Sequence, residues 1–145
     1  MKLIKIDSKH TTLQMDEIVN NMSSFQIERV ENLYRQFDYV DWENLDGSIS
    51  SIISIPENLI GELYGTWASI SPDFSFKTID LTKDALFGKI DTKSFGLSSD
   101  KLSQLDYILD KFIESNIDID VILDKINELG IGSLTQKDIL ILQSI

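Results

Sequence analysis

Apolar residues recur every three or four positions over most of this chain, a period that suits amphipathic helices and argues against long exposed strands. The pattern is clearest in the last third. Leu102, Leu105, Ile108, Leu109, Phe112 and Ile113 fall on one helical face, with Ser98 or Ser99 as the N-cap. Asn116 or Asp118 restarts a helix through Val121, Ile122, Ile126 and Leu129, and Gly130 suits the left-handed residue that closes it. Thr135 caps the last helix, with Asp138 three residues on and Leu134 placed to staple onto Ile139. Nearer the start, Met15, Ile18, Val19 and Met22 make one stripe, and Ile27, Val30, Leu33, Tyr34 and Phe37 make another. Between them "SSFQ" reads as a capping box from Ser23 to Gln26, so the two stripes are one long helix or two that share a bend. "SIPE" opens a further helix, with Ser54 as cap, Pro56 in the first turn and Glu57 at the reciprocal position. Its apolar face is Leu59, Ile60, Leu63, Tyr64 and Trp67, and Gly61 and Gly65 let another element come close to its backbone.

Strand signals are shorter. "KLIKI" is an edge strand or a leader into the first helix. The "DG" turn at Asp46–Gly47 precedes "SISSIIS", a short strand. Phe74 and Phe76 alternate with polar residues, "TKDALFG" is one helical turn ended by Gly88, and "KIDTKSF" is a second strand. Residues 74–95 then form a small two-stranded feature. The expected fold is mainly α with a minor β element: a compact single domain, 1–145, of five or six helices, with 118–145 as a helical hairpin packed on it.

At 145 residues, 42 % apolar and 26 % charged, the chain can bury one ordinary core. No apolar run approaches the roughly 18–20 residues that cross a bilayer, and "MKLIKIDSKH" has no small-residue cleavage site, so no secretory leader is expected. Without Cys there is no disulfide framework, no thiolate nucleophile and no cysteine-based zinc site, and a cytoplasmic setting is expected.

The formal net charge of −11 disfavours nucleic acid and anionic membranes as partners, because both are engaged through clustered Lys and Arg. The charge is uneven: between Arg35 and Lys77 there is no Lys or Arg. Inside that span "DYVDWENLDGS" holds four carboxylates with Tyr39 and Trp42. A solvated surface is one reading. The other is a face for a basic protein, formed by Asp38, Tyr39, Asp41, Trp42, Glu43 and Asp46 with Glu57 and Glu62, since opposite-sign fields speed encounter and set specificity. Trp67 ends an apolar stripe and is expected in the core. Trp42 is either core or, if exposed between Asp41 and Glu43, an anchor for a cationic partner.

Catalytic patterns are weaker. An EF-hand register with Gly47 at position six puts Trp42 at one and Ile53 at twelve, which fails at both ends. A looser cation site of Asp38, Asp41, Glu43 and Asp46 stays open as the route to a small metal-dependent hydrolase. His10 is the sole histidine, no "GxSxG" elbow is present, and "GIGS" does not follow a strand as a phosphate loop would. The leading expectation is a non-catalytic binding domain without cofactor or metal. Alternatives are the hydrolase and a structural or assembly subunit that self-associates through Ile139–Leu142.

The segment "ILDKINELGIGSLTQKDILIL" resembles a short C-terminal module found on varied bacterial proteins, including some rhomboid-type intramembrane proteases. The shared form is a helix, a glycine, "SLT" and a second helix, carried here by Ile122, Leu123, Asp124, Lys125, Ile126, Gly130, Ser133, Leu134 and Thr135. Where the module has Glu and Lys after "SLT", this chain has Gln136, Lys137 and Asp138. The resemblance covers residues 122–142 and implies a helical hairpin and a bacterial source. It implies no protease activity, because no apolar run here could supply the membrane spans that would carry it, and the module is a poor guide to function because it sits behind unrelated domains. The apolar Ile139–Leu142 run suggests a tail packed on its own core. By analogy of size and charge, a small acidic bacterial protein fits an inhibitor or immunity partner of a toxin or nuclease.

Overall fold

The computed structural model describes residues 1–73 and 75–144. In chain order the elements are β1 (Lys2–Thr11), α1 (Thr12–Asn20), α2 (Ser24–Tyr34), β2 (Asp38–Glu43), β3 (Ser48–Ile55), α3 (Ile60–Ile70), β4 (Phe76–Asp80), α4 (Thr82–Leu86), α5 (Ser99–Asn116), α6 (Ile119–Leu129) and α7 (Gln136–Gln143). Short 3-10 turns lie at Glu57–Leu59, Thr92–Phe95 and Ile131–Ser133. The four strands form one antiparallel sheet in the order β2-β3-β1-β4.

This is a mixed α/β fold, which corrects the expectation of a mainly α domain with a minor β element. Among the described residues there are seven α-helices, and the sheet is the middle layer they cover. Its two central strands are buried on both faces. In β1, Leu3 and Ile4 are both buried, and in β3 so are Ile52 and Ile53. Successive strand side chains point to opposite faces, so each pair feeds two cores. One core gathers Leu3, Val40, Trp42 and Ile52 from the sheet with Ala85 of α4 and Leu105, Ile108 and Phe112 of α5. The other gathers Ile4, Ile53 and Ile55 with Leu33, Phe37 and Leu63, from α2, its exit and α3. A strand buried on both sides loses the apolar–polar alternation of a half-exposed one. "KLIKI" is thus part of a ten-residue interior strand, neither an edge strand nor a leader.

Local details follow from side-chain chemistry. The two N-terminal stripes are two helices, separated by the Ser23–Gln26 capping box. The β2–β3 hairpin turns at residues 44–47, where the Gly47 N–H donates to the Asn44 carbonyl at 2.9 Å and Gly47 takes φ +85. A side chain at that φ would be strained. Ser54 does not cap a helix: it is a buried residue of β3, and Pro56 starts the turn that leads into α3 without a side-chain cap. "KIDTKSF" is not a strand. Asp91 accepts a hydrogen bond from the Lys93 N–H and caps the 3-10 turn there, while β4 pairs with β1, so 74–95 is no separate two-stranded unit. Phe74 lies outside the described residues. Gly130 closes α6 at φ +82, but its ψ of 167 is extended, not left-handed helical.

The C-terminal hairpin turns on a buried ion pair. Lys125 of α6 is 3 % exposed and Asp138 of α7 is 1 % exposed, with 2.9 Å between Nζ and Oδ2. Asp138 also accepts from the Thr135 N–H at 2.9 Å as part of the α7 capping box. Burial pushes the Asp138 carboxyl up, but the Lys125 and Thr135 hydrogen bonds and the Lys125 charge outweigh it and hold the carboxyl below its usual value of 3.8. Its contribution to stability is in place above that value and is lost as the pH falls through the folded-state value. Removing one partner strands a charge in a dry site. Lys125→Met is expected to cost about 3–5 kcal/mol in urea unfolding. The double variant Lys125→Met/Asp138→Leu is expected to recover most of that, keeping a deficit of about 1 kcal/mol for the lost cap.

Candidate functional site

β2 is an edge strand, and its alternation sends its side chains two ways. Val40 and Trp42 enter the core under α5. Asp38 shares their face of the strand. Tyr39, Asp41 and Glu43 point to the opposite face and are exposed. One stretch of sequence therefore serves two environments.

Trp42 is 9 % exposed and does not act as a surface anchor. Its indole N–H donates to Asn44 Oδ1 at 3.1 Å. Asn44 donates to Ser50 Oγ at 2.8 Å, Ser50 donates to Asp7 Oδ1 at 2.6 Å, and Lys5 Nζ donates to the same oxygen at 2.8 Å. Burial raises the Asp7 carboxyl, yet these hydrogen bonds with the Lys5 and Lys77 charges hold it below 3.8. The chain of contacts satisfies every polar group it passes and fastens the β2–β3 turn to β1.

The acids divide as well. Asp38 pairs with Lys111 of α5 at 2.9 Å. Asp41 meets Lys101 of α5 at 3.5 Å, a longer contact. Asp46 lies in the hairpin turn, accepting from the Ser48 hydroxyl and from the Ser48 N–H, the latter at 2.9 Å. Those hydrogen bonds lower its pKa. Glu57 lies in the turn before α3. Glu62 is in the first turn of α3, beside a shallow hollow shared with Phe25, Glu28 and Arg29 of α2. Among the described residues Glu43, Glu57 and Glu62 make no ion pair. The eight sequence candidates are thus not one surface. Tyr39, Asp41 and Glu43 stay together, Asp38 and Trp42 face away from them, Asp46 lies in the hairpin turn, and Glu57 and Glu62 lie beyond β3 at the start of α3. The looser cation site is not assembled, because Asp38 and Asp41 point to opposite sides of the sheet. Among the described residues no three His, Asp or Glu side chains are grouped to hold a metal ion.

Tyr39 and Asp41 border a cavity of about 190 Å³ that the sequence did not reveal. It lies on the sheet face that α2 and α3 cover only in part. Ile6, Ser51 and Ile53 form its floor, and Tyr34, Tyr64 and Trp67 form its helical wall, with Met15 and Phe76 also lining it. Tyr34 organises the rings. It accepts a hydrogen bond from Trp67 Nε1 at 2.8 Å and stands edge-on to Tyr39, with centroids 5.1 Å apart and planes at 78°. It also stands edge-on to Trp67, at 6.4 Å and 82°. Such pairings fix ring orientation as well as burying area. Trp67 packs against the second core, as its stripe suggested, and is half-buried where it walls the cavity. Asp41 is the only charged group that lines the cavity among the described residues. Tyr34, Tyr64 and Trp67 read as core because an aromatic on a helical stripe has the same spacing whether it fills a core or walls a cavity.

No protein-family model, curated protein or solved structure matches the chain. No helix among the described residues is long and apolar enough to cross a membrane.

Burial raises the Tyr34 hydroxyl from 10.0 to about 12, against a smaller lowering by the Trp67 hydrogen bond, while Tyr39 and Asp41 add to the rise. The neutral phenol is the form the fold accepts. Stability from this site is complete below pH 10 and is expected to fall as the pH rises from there through about 12. Phenolate absorbance followed with pH in the native protein should show one tyrosine ionising late. In Tyr34→Phe that late step should be missing.

Proposed function

We propose that the protein is a non-catalytic binding domain whose edge strand β2 receives a basic segment of another protein. The observation that carries this reading is the position of Tyr39, Asp41 and Glu43. They are side by side on an exposed face of an edge strand, within a span that has no lysine or arginine of its own. An edge strand offers unpaired main-chain groups to an incoming chain, and alternate side chains then supply specificity. A negative rim favours a positive partner in both encounter rate and register. Stoichiometric inhibition of a basic toxin or nuclease is one role such a surface fills.

Acids on an edge strand have a second use, since charge there blocks edge-to-edge association. One experiment separates the two. The protein and its Asp41→Asn/Glu43→Gln variant are immobilised, and extract of the source cell is passed over each at low and high salt. The binding reading expects a basic protein held by the unaltered chain at low salt, released at high salt, and held roughly tenfold less well by the variant. If the variant instead self-associates in solution and retains the same proteins, the acids are protective and the binding reading fails.

A further inference from the structure

We infer that the cavity beside β2 is a subsite for one arginine side chain of the basic segment. The inference rests on the binding reading above for its partner, and on the cavity for its chemistry. The cavity measures about 190 Å³. That is below the roughly 300 Å³ where sites for drug-sized ligands begin, and it suits a single long side chain. The walls are aromatic, and rings attract cations through their faces, most strongly when the site is partly dry. A planar guanidinium stacks on rings and can offer a carboxylate two parallel N–H groups, which an ammonium cannot. The one carboxylate at the cavity is Asp41, and no Lys, Arg or His lines the space among the described residues. Charge complementarity therefore selects a cation over a neutral or acidic group.

The same geometry assigns a role to Lys101. Its ammonium lies 3.5 Å from Asp41, and both side chains are well exposed. A long, wet ion pair of this kind is weak. It leaves Asp41 available to an incoming guanidinium but makes Lys101 a mild competitor for it.

The two tryptophans give the test an internal control, because their indole N–H groups lie on opposite faces of the sheet. The Trp67 N–H is bonded to Tyr34 at the cavity wall, and the Trp42 N–H is bonded to Asn44 on the other side. Full-length nitrogen-15-labelled protein is titrated with N-acetyl-arginine methylamide and, separately, with its neutral isostere N-acetyl-citrulline methylamide. Trp67→Phe assigns the signals. At tens to hundreds of millimolar and constant ionic strength, the arginine compound is expected to move the Trp67 signal progressively and leave Trp42 in place, while the citrulline compound moves neither. Asp41→Asn should weaken binding about threefold and Lys101→Gln should strengthen it about twofold, with the Trp42 signal showing that both variants are folded. Equal binding of citrulline, or a Trp67 signal indifferent to arginine in the folded protein, overturns the inference. Salt-sensitive capture of a basic protein would then still stand, so failure of the subsite and failure of the binding reading are told apart.

Discussion

Leu3 beside Ile4 and Ile52 beside Ile53 set the terms for the rest of the molecule. Each pair is contiguous in the chain, both members are buried, and a strand sends them to opposite sides. Two central strands built this way must be covered on both faces, and that requirement recruits the helices. α4 and α5 close one face over Val40, Trp42 and Ile52. α2 and α3 close the other over Ile4, Ile53 and Ile55. The second cover reaches β2 only through Tyr34 and Phe37 against Tyr39, where Tyr39 and Asp41 replace the aliphatic residues of the centre. The cavity is what remains where the apolar pattern on that face gives out.

Legibility in the sequence followed the same division. Helices with an exposed back were readable, because only one stripe of each is apolar. α5 with its Ser98 cap, α6 with Asp118, and the capping boxes at Ser23 and Thr135 all stand where spacing and cap chemistry put them. The sheet was not readable as a sheet. β1 and β3 carry apolar neighbours where a half-exposed strand would alternate, and β2 was noticed for its charge, although Tyr39, Val40 and Trp42 are residues that strands favour. Of the candidate site, Tyr39, Asp41 and Glu43 were named from sequence and do cluster. Their cavity partners were hidden because Tyr34, Tyr64 and Trp67 share a helical spacing with core residues. Glu57 and Glu62 were grouped with the β2 acids by nearness in the chain, which folding does not preserve.

The electrostatics of β2 are likewise sorted by face. α5 covers one side, and its lysines reach the acids nearest to it: Lys111 holds Asp38 closely and Lys101 touches Asp41 at longer range. What the base-free span presents to solvent is therefore less negative than its composition suggests, and the negative charge at the cavity itself is that of Asp41. A diffuse acidic surface would attract any basic protein. A short edge strand with one carboxylate at an aromatic cavity would be more selective, because a partner of the proposed kind would have to present its cation at one position along the strand.

Magnitudes decide how the strand and the cavity share the work. A guanidinium against aromatic rings and one partly screened carboxylate gains roughly 2–3 kcal/mol, and ordering a flexible side chain costs roughly 0.5–1.5 kcal/mol of that. The remainder is short of the roughly 4 kcal/mol that corresponds to millimolar binding, so the cavity alone is a weak site. For the proposed interface its value would lie in being formed before a partner arrives. Its floor is sheet, its wall is α2 and α3, and Tyr34 and Trp67 are joined by a hydrogen bond of 2.8 Å. A preformed subsite adds register to contacts made elsewhere, and here the open edge of β2 is where those contacts can form. Main-chain pairing along that edge would hold any extended segment, and the cavity would choose among them by the side chain that reaches it.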